Sequence, residues 1–224
     1  MIKLLCFDLD GTLVSTKELH FEALNMALTK YAPEFVITKA DHLHNFDGLP
    51  TSSKLDMLHI RGLPERLRKD ISSLKQKYTH EMLHDFNFSI DHTELFEYLS
   101  QRPFLLALCT NSIRTTTMLI LERLHIGSYF TVILTNEMVK NPKPHPEMYT
   151  LAMKHCMGVH PLETVIFEDS EKGIHSANAS GGYVRIVTDP WEMAVDMVQK
   201  TINLIEAQHV PRMITTTNGN PEFI

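Results

Sequence analysis

Five apolar runs of strand length, at positions 4–7, 105–109, 132–134, 165–167 and 184–187, each end in polar residues, and helix-like stretches separate them. That alternation is the pattern of a parallel α/β sheet. The runs themselves carry little polar alternation, which fits strands covered on both faces. One spacing breaks the pattern. Roughly ninety residues lie between the first run and the second, whereas a crossover between parallel strands needs only about a dozen. The excess shows helical periodicity, with Leu55, Leu58 and His59 on one stripe and Leu67, Ile71, Leu74 and Tyr78 on another, and little strand signal. A small helical unit is therefore expected to leave after the first strand and return before the second, with hinges near residues 14–17 and 87–92. Residues 191–208 read as a closing helix, and the polar, turn-rich stretch 215–221 as a loosely ordered tail.

Composition excludes several classes. The 224 residues carry a formal charge of −6, which argues against an extended basic surface and so against nucleic acid as a partner. The apolar start, Met1 to Phe7, is cut by Asp8 and Asp10 far short of a signal segment or a membrane span. A cytoplasmic protein without a membrane partner is expected. Cys6, Cys109 and Cys156 lack C-x-x-C spacing, so neither a disulfide framework nor a zinc knuckle is indicated. Cys6 and Cys109 lie in apolar runs and read as core.

The chemistry gathers at the ends of the runs. In Phe7-Asp8-Leu9-Asp10-Gly11-Thr12 the two acids are two apart on an extended chain, so they face the same way at the strand's carboxyl end. Taken alone, D-x-D-G is an ordinary acidic turn. The second run delivers Thr110-Asn111-Ser112, where a hydroxyl and N–H groups at a helix start can hold a phosphate. After the third come Asn141-Pro142-Lys143-Pro144-His145-Pro146-Glu147, whose prolines present one lysine. The fourth ends in Glu168-Asp169-Ser170, two acids whose mutual repulsion is costly without a cation. Small residues from Gly173 to Gly181 fit a helix packed closely on the sheet. Open α/β sheets bind ligands beyond the carboxyl ends of their strands, so the four clusters should converge.

With these four motifs in this order, the chain resembles the haloacid dehalogenase superfamily, within it the β-phosphoglucomutase-like group with an inserted cap. The resemblance spans residues 2 to about 187 and implies a three-layer Rossmann-like α/β core, residues 1–15 and 90–224, with a helical cap at 16–89. It implies that Asp8 is the nucleophile that becomes an aspartyl phosphate and that Asp10 is the general acid and then base. For the acid role, Asp10 would need its proton held by a neighbour or by desolvation. It further implies Mg²⁺ held by the Asp8 carboxylate, the Asp10 carbonyl and Asp169, with Glu168 direct or through water. Thr110, the Asn111 amide and Lys143 would hold the phosphate.

Asp10 speaks against the dehalogenases and against relatives that cleave carbon–phosphorus bonds through a cap lysine, so Lys54 reads as a surface residue. His20, Gly48 and Thr51 are cap candidates for substrate contact, with His44, Ser52 and Lys54 as further polar ones. The loop after Gly48 lacks the arginine with which the sugar-phosphate mutase anchors a second phosphate. The expected activity is therefore a Mg²⁺-dependent phosphatase acting on a small phosphorylated metabolite, a sugar phosphate or nucleotide-like monoester, ahead of a phosphomutase. Two rivals come from other classes. His80-Glu81-Met82-Leu83-His84 matches the H-E-x-x-H zinc motif of a metalloprotease, with Glu94 or Glu97 as a third ligand. An inactive binding protein on the same fold is the other, and the filled catalytic positions speak against it. Nothing in the sequence sets an oligomeric state.

Overall fold

The computed structural model describes residues 1–208 together with the backbone of two short strands near the carboxyl terminus. All five apolar runs become strands of one parallel sheet: β1 (Leu4–Phe7), β2 (Leu105–Cys109), β3 (Val132–Leu134), β4 (Thr164–Glu168) and β5 (Tyr183–Ile186), in the order β3-β2-β1-β4-β5. Strand β1 is central. It pairs in register with β2 on one side, Phe7 opposite Leu108, and with β4 on the other, Phe7 opposite Phe167. The fourth run is longer than its apolar part, since Glu168 closes β4 opposite Ile186.

Alternation along the strands sorts their side chains onto two faces. Leu5, Phe7, Leu106, Leu108, Val165 and Phe167 share one buried cluster with residues from the helices α5 (Thr93–Ser100), α6 (Arg114–Leu124) and α9 (Val195–Gln208). Leu4, Cys6, Ala107, Cys109 and Ile166 share another with α7 (Glu147–His155) and α8 (Glu171–Ser180). The result is three layers, helices on sheet on helices. Cys6 and Cys109 are buried free thiols, as their apolar runs indicate, and so is Cys156.

Between β1 and β2 the chain makes α1 (Lys17–Tyr31), a one-turn α2 (Lys39–Asp41) that runs into a wider turn at His42–Phe46, α3 (Thr51–Ile60) and α4 (Glu65–Asp85). These helices bury a cluster of their own, including Leu24, Leu28, Phe46, Leu55, Leu58 and Ile71, against which Leu67, Leu74 and Tyr78 pack. His59 departs from its expected stripe. It lies on the exposed side of α3, where its Nδ1 meets the Leu63 carbonyl at 2.8 Å, so its ring serves the end of the helix instead of the core. The two connections to the sheet touch each other, His92 Nε2 donating to the Leu13 carbonyl at 2.7 Å.

The closing helix starts later than its apolar pattern suggests. Asp189 caps Trp191 N at 2.9 Å in a separate turn at Pro190–Glu192, and the α-helix begins at Val195. Of the expected loose tail, residues 216–220 lie outside the described residues, while Met213–Thr215 (β6) and Pro221–Phe223 (β7) form an antiparallel pair. Among the described residues no helix is long and apolar enough to cross a membrane.

Phe96 of α5 is fully buried with its ring 5.6 Å from Phe7 and 5.2 Å from Phe130, so it props the strand that carries the candidate nucleophile. F96A is expected to cost about 3–5 kcal/mol, which lowers Tm by about 10 °C for a chain of this size. Calorimetry showing a loss of only a degree or two would mean that this contact does not hold β1.

Candidate active site

All four sequence clusters meet at the carboxyl edge of the sheet, under α1, α3 and α4. One cavity is lined by Asp8, Asp10, Thr110, Asn111 and Lys143 from below and by cap residues from above. After β1 the chain turns at Gly11, whose φ is +106° and where a Cβ would lie 2.1 Å from Asp169 Oδ2. Only glycine meets both conditions. Gly173 permits a second close approach, since a Cβ there would lie 2.0 Å from Glu168 Oε1. The first turn of α8 thus sits directly on that carboxylate.

Lys143 is the centre of the floor. Its ammonium is almost completely buried and donates to Asp8 Oδ1 at 2.7 Å, to the Cys109 carbonyl at 2.7 Å and to Glu168 Oε1. Glu168, fully buried, also accepts from the Tyr149 hydroxyl at 2.7 Å and from the Asp169 N–H at 3.0 Å. Asn111 joins three segments through its side chain: Nδ2 donates to the Gly48 carbonyl at 2.8 Å and the Lys143 carbonyl at 3.1 Å, and Oδ1 accepts from the Lys143 N–H at 3.1 Å. Thr110 Oγ1 accepts from the Ser112 N–H at 3.0 Å, which leaves its own O–H to donate into the cavity.

Asp8, Glu168 and Asp169 present carboxylate oxygens that all lie within 4.8 Å of one another. Three hard oxygen donors this close suit a divalent cation such as Mg²⁺. Burial, then Glu168 and Asp169, push the Asp8 carboxyl up against the pull of Lys143, and burial lifts Asp169 to about 6 although Lys17 contacts it. Burial leads both shifts, and it is a penalty that a bound cation would offset.

Asp10 faces away from this trio. Its Oδ2 accepts from the Ser112 hydroxyl at 2.7 Å and its Oδ1 from the Thr16 hydroxyl, with His20 Nε2 3.3 Å away. Burial opposes the charge, yet His20, Thr16 and Ser112 together hold Asp10 well below the usual carboxylate range. The sequence reading expected a held proton, and the arrangement instead keeps Asp10 ionised. Lys75 Nζ lies 3.3 Å from His20 Nδ1. An ammonium can only donate, so this contact places the ring proton on Nε2, toward Asp10.

Of the cap candidates, His20, Gly48 and Thr51 line the cavity, whereas the exposed His44 and Ser52 are not among its lining residues. Lys54 corrects the sequence reading. It is buried, not a surface residue, because α3 turns it inward beside Lys75 of α4, and both line the cavity. Lys17 and Lys75 carried no signal in the sequence. Lys17 pairs with Asp169 and, at 3.1 Å, with Asp47, a contact that depends on where the cap rests. The H-E-x-x-H residues are not gathered into a site. His80 Nε2 meets Thr116 Oγ1 at 3.3 Å, Glu81 lies 3.7 Å from Lys77, and His84 meets Asp85 at 3.0 Å. Among the described residues Asp8, Glu168 and Asp169 form the one group that could hold a metal.

Comparison with known proteins agrees with this geometry. A family model described as haloacid dehalogenase-like hydrolase matches residues 5–187. The chain is 31% identical over 180 residues to the phosphorylated carbohydrates phosphatase of Thermotoga maritima, covering 78% of this chain and 80% of that one. It is 32% identical over 183 residues to the pyrophosphatase PpaX of Bacillus pumilus, covering 80% of each. A solved structure of β-phosphoglucomutase from Clostridium difficile superposes with a TM-score of 0.79 at 20% identity over 92% of this chain and all of that one, which shows the shared fold alone.

His42 gives a test of the electrostatics above the cavity. It is buried against the Phe21 ring, 4.9 Å between centroids, with no hydrogen-bond partner on either nitrogen. Burial, then Lys54, bring it down to about 4. Below the unfolded value of about 6.5, the unfolded chain binds a proton that the folded chain refuses. The stability that neutral His42 permits is therefore complete above that pH and declines as pH falls toward 4. H42F, which keeps a ring and removes the titration, is expected to gain in Tm relative to the wild type between pH 7 and pH 5. A Tm difference constant across that range would refute the assignment.

Proposed function

The chain belongs to the haloacid dehalogenase-like hydrolases, and from that premise we propose that it is a Mg²⁺-dependent phosphatase of a small phosphorylated metabolite, a sugar phosphate or nucleotide-like monoester, acting through an aspartyl phosphate on Asp8. The observation that carries this reading is the contact of Lys143 Nζ with Asp8 Oδ1 in the cavity that also holds Asp10. It brings together a nucleophile, a fixed cation for the phosphoryl oxygens and a proton carrier. The phosphorylated carbohydrates phosphatase of Thermotoga maritima supports the substrate class. Residues 16–89 are taken as the cap over the leaving group, with 1–15 and 90–224 as the core.

In the first step an Asp8 oxygen attacks phosphorus, the bond to the ester oxygen breaks, and that oxygen takes a proton delivered through Asp10. In the second, Asp10 accepts a proton from water as the water attacks phosphorus, and the Asp8 carboxylate is released with inorganic phosphate. Asp10 is ionised in this structure, so it is ready for the second role; for the first it takes up a proton from water or from the incoming monoester, since the His20 ring, kept neutral by burial and Lys75, has none to give. Lys143, the Thr110 hydroxyl and the Asn111 main-chain amide hold the phosphoryl oxygens, a reaction that needs chiefly positioning and charge neutralisation. Asp8, Asp169 and the Asp10 carbonyl would hold Mg²⁺, with Glu168 direct or through water. When bound, the ion offsets the repulsion between Asp8 and the phosphate.

Phosphate release from p-nitrophenyl phosphate and a panel of sugar phosphates and nucleotides is expected to require Mg²⁺. D8N should reduce it by at least about 10³-fold and D10N by about 10²- to 10⁴-fold. Turnover that survives in D8N, or that chelation leaves unchanged, overturns the mechanism. Isomerisation of a sugar monophosphate primed by a bisphosphate, without net release, would identify a phosphomutase.

A further inference from the structure

The three acids Asp8, Glu168 and Asp169 draw their counter-charge from two different parts of the chain. Lys143, on the floor, serves Asp8 and Glu168. Among the described residues the cation paired with Asp169 is Lys17, which comes from the cap. It opens α1, at the end of the helix where the N–H groups already carry partial positive charge, an unfavourable place for an ammonium. Two carboxylates hold it there. Its Nζ reaches Asp169 Oδ2 and, at 3.1 Å, Asp47 Oδ2 in the cap loop just before Gly48.

The turn after β1 makes room for this reach. A Cβ at Gly11 would lie 2.1 Å from Asp169 Oδ2 and 2.5 Å from Lys17 Cε, so the lysine stem passes over the glycine to the carboxylate. The cap loop that shares the ammonium rests on the core. Its Gly48 carbonyl accepts from Asn111 Nδ2 at 2.8 Å, and a Cβ at Gly48 would come within 3.0 Å of Ser170 Oγ. Lys17 therefore joins the start of the cap, the loop over the cavity and one acid of the cluster. A divalent cation held by Asp8, Glu168 and Asp169 would share a carboxylate with this ammonium, and the Asp169 side chain is only 6% exposed. Two positive charges at such range, with little water to screen them, repel.

We infer that Lys17 couples cap closure to metal binding: with the cap down its ammonium competes with a divalent cation for Asp169, and the cation binds more tightly once the lysine withdraws to Asp47. This rests on the assignment of Mg²⁺ to the phosphatase site. Lys17 is a positioning residue that acts through Asp169. By reciprocity, a cation that weakens the Lys17 contact also loosens the cap, so metal entry readies the cavity to admit a substrate. Asp47 keeps the ammonium partnered after it leaves the cluster.

The experiment titrates Mn²⁺ into wild type, K17M, K17R, D47N and K17M/D47N without substrate, reading the free ion by electron paramagnetic resonance, with D169N to locate the titrated site. K17M is expected to bind about 10-fold more tightly than the wild type, and K17R, which keeps the charge, to bind as the wild type does. D47N should weaken binding, because the ammonium then falls to Asp169 alone, and should change nothing once Lys17 is gone. Unchanged affinity in K17M marks a plain salt bridge and overturns the coupling. So does an effect of D47N that is the same with and without Lys17, which marks a charge acting through space.

Spin labels at E34C in the cap and E122C on α6, both exposed, read the position of the cap while the three native thiols stay buried. Mg²⁺ is expected to broaden the distance distribution in the wild-type background and to leave K17M, already broad, as it is. A wild-type distribution that Mg²⁺ leaves unchanged overturns the coupling. Affinities and distances that follow Lys17 support it even if no ester is hydrolysed, in which case the phosphatase reading alone fails. Mg²⁺-dependent hydrolysis with an affinity indifferent to K17M leaves the phosphatase reading standing and removes the coupling, whereas Mn²⁺ binding that D169N does not weaken removes both.

Discussion

The ammonium of Lys143 ties three parallel strands together at their functional ends. It reaches Asp8 just past β1, the Cys109 carbonyl at the end of β2 and Glu168 at the end of β4. A buried cation of this kind is tolerable only because every donor direction finds an acceptor. Its own segment is fixed in turn by the Asn111 amide, which holds the backbone of Lys143 on both sides. Loss of the ammonium would leave Asp8 and Glu168 as buried like charges, so the positions of both carboxylates and of the sheet edge depend on one residue.

Much of this was legible from the chain. The five strands follow from apolar runs, because burial on both faces of a parallel sheet writes itself into local composition. The convergence of Asp8, Thr110, Lys143 and Glu168 follows from the rule that such sheets bind ligands at one edge. The cap was legible as an insertion with its own stripes, as Leu55, Leu58 and Ile71 show. Less was legible about what the cap points at the floor. Lys54, Lys75 and Lys17 are long, polar and unremarked by any local pattern, and only the packing of α1, α3 and α4 decides whether such a side chain meets water or a cavity. The absence of arginine after Gly48 is a true feature of the sequence, but it says nothing of cations that arrive from the next turns and the next helix.

The environment of Asp10 shows the cap acting on the chemistry as well as on access. Thr16, just ahead of α1, and His20 within it supply two of the groups that hold the carboxylate, and the ring of His20 takes its tautomer from Lys75 on α4. Ser112 on the floor supplies the third. The charge state of Asp10 is therefore set jointly from above and below. Movement of α1 would change it without any change in Asp10 itself, which couples the readiness of the site to the position of its cover.

The four helices inserted after β1 bury a core of their own, and the segments that leave and re-enter the sheet meet at one hydrogen bond between His92 and Leu13. A mutation inside that buried core thus reaches the strand ends only through the contacts the insert makes with Asp10, Asp169 and Asn111. Lineages descended from a common ancestor can then keep one catalytic edge while their inserts drift apart, trading one metabolite for another.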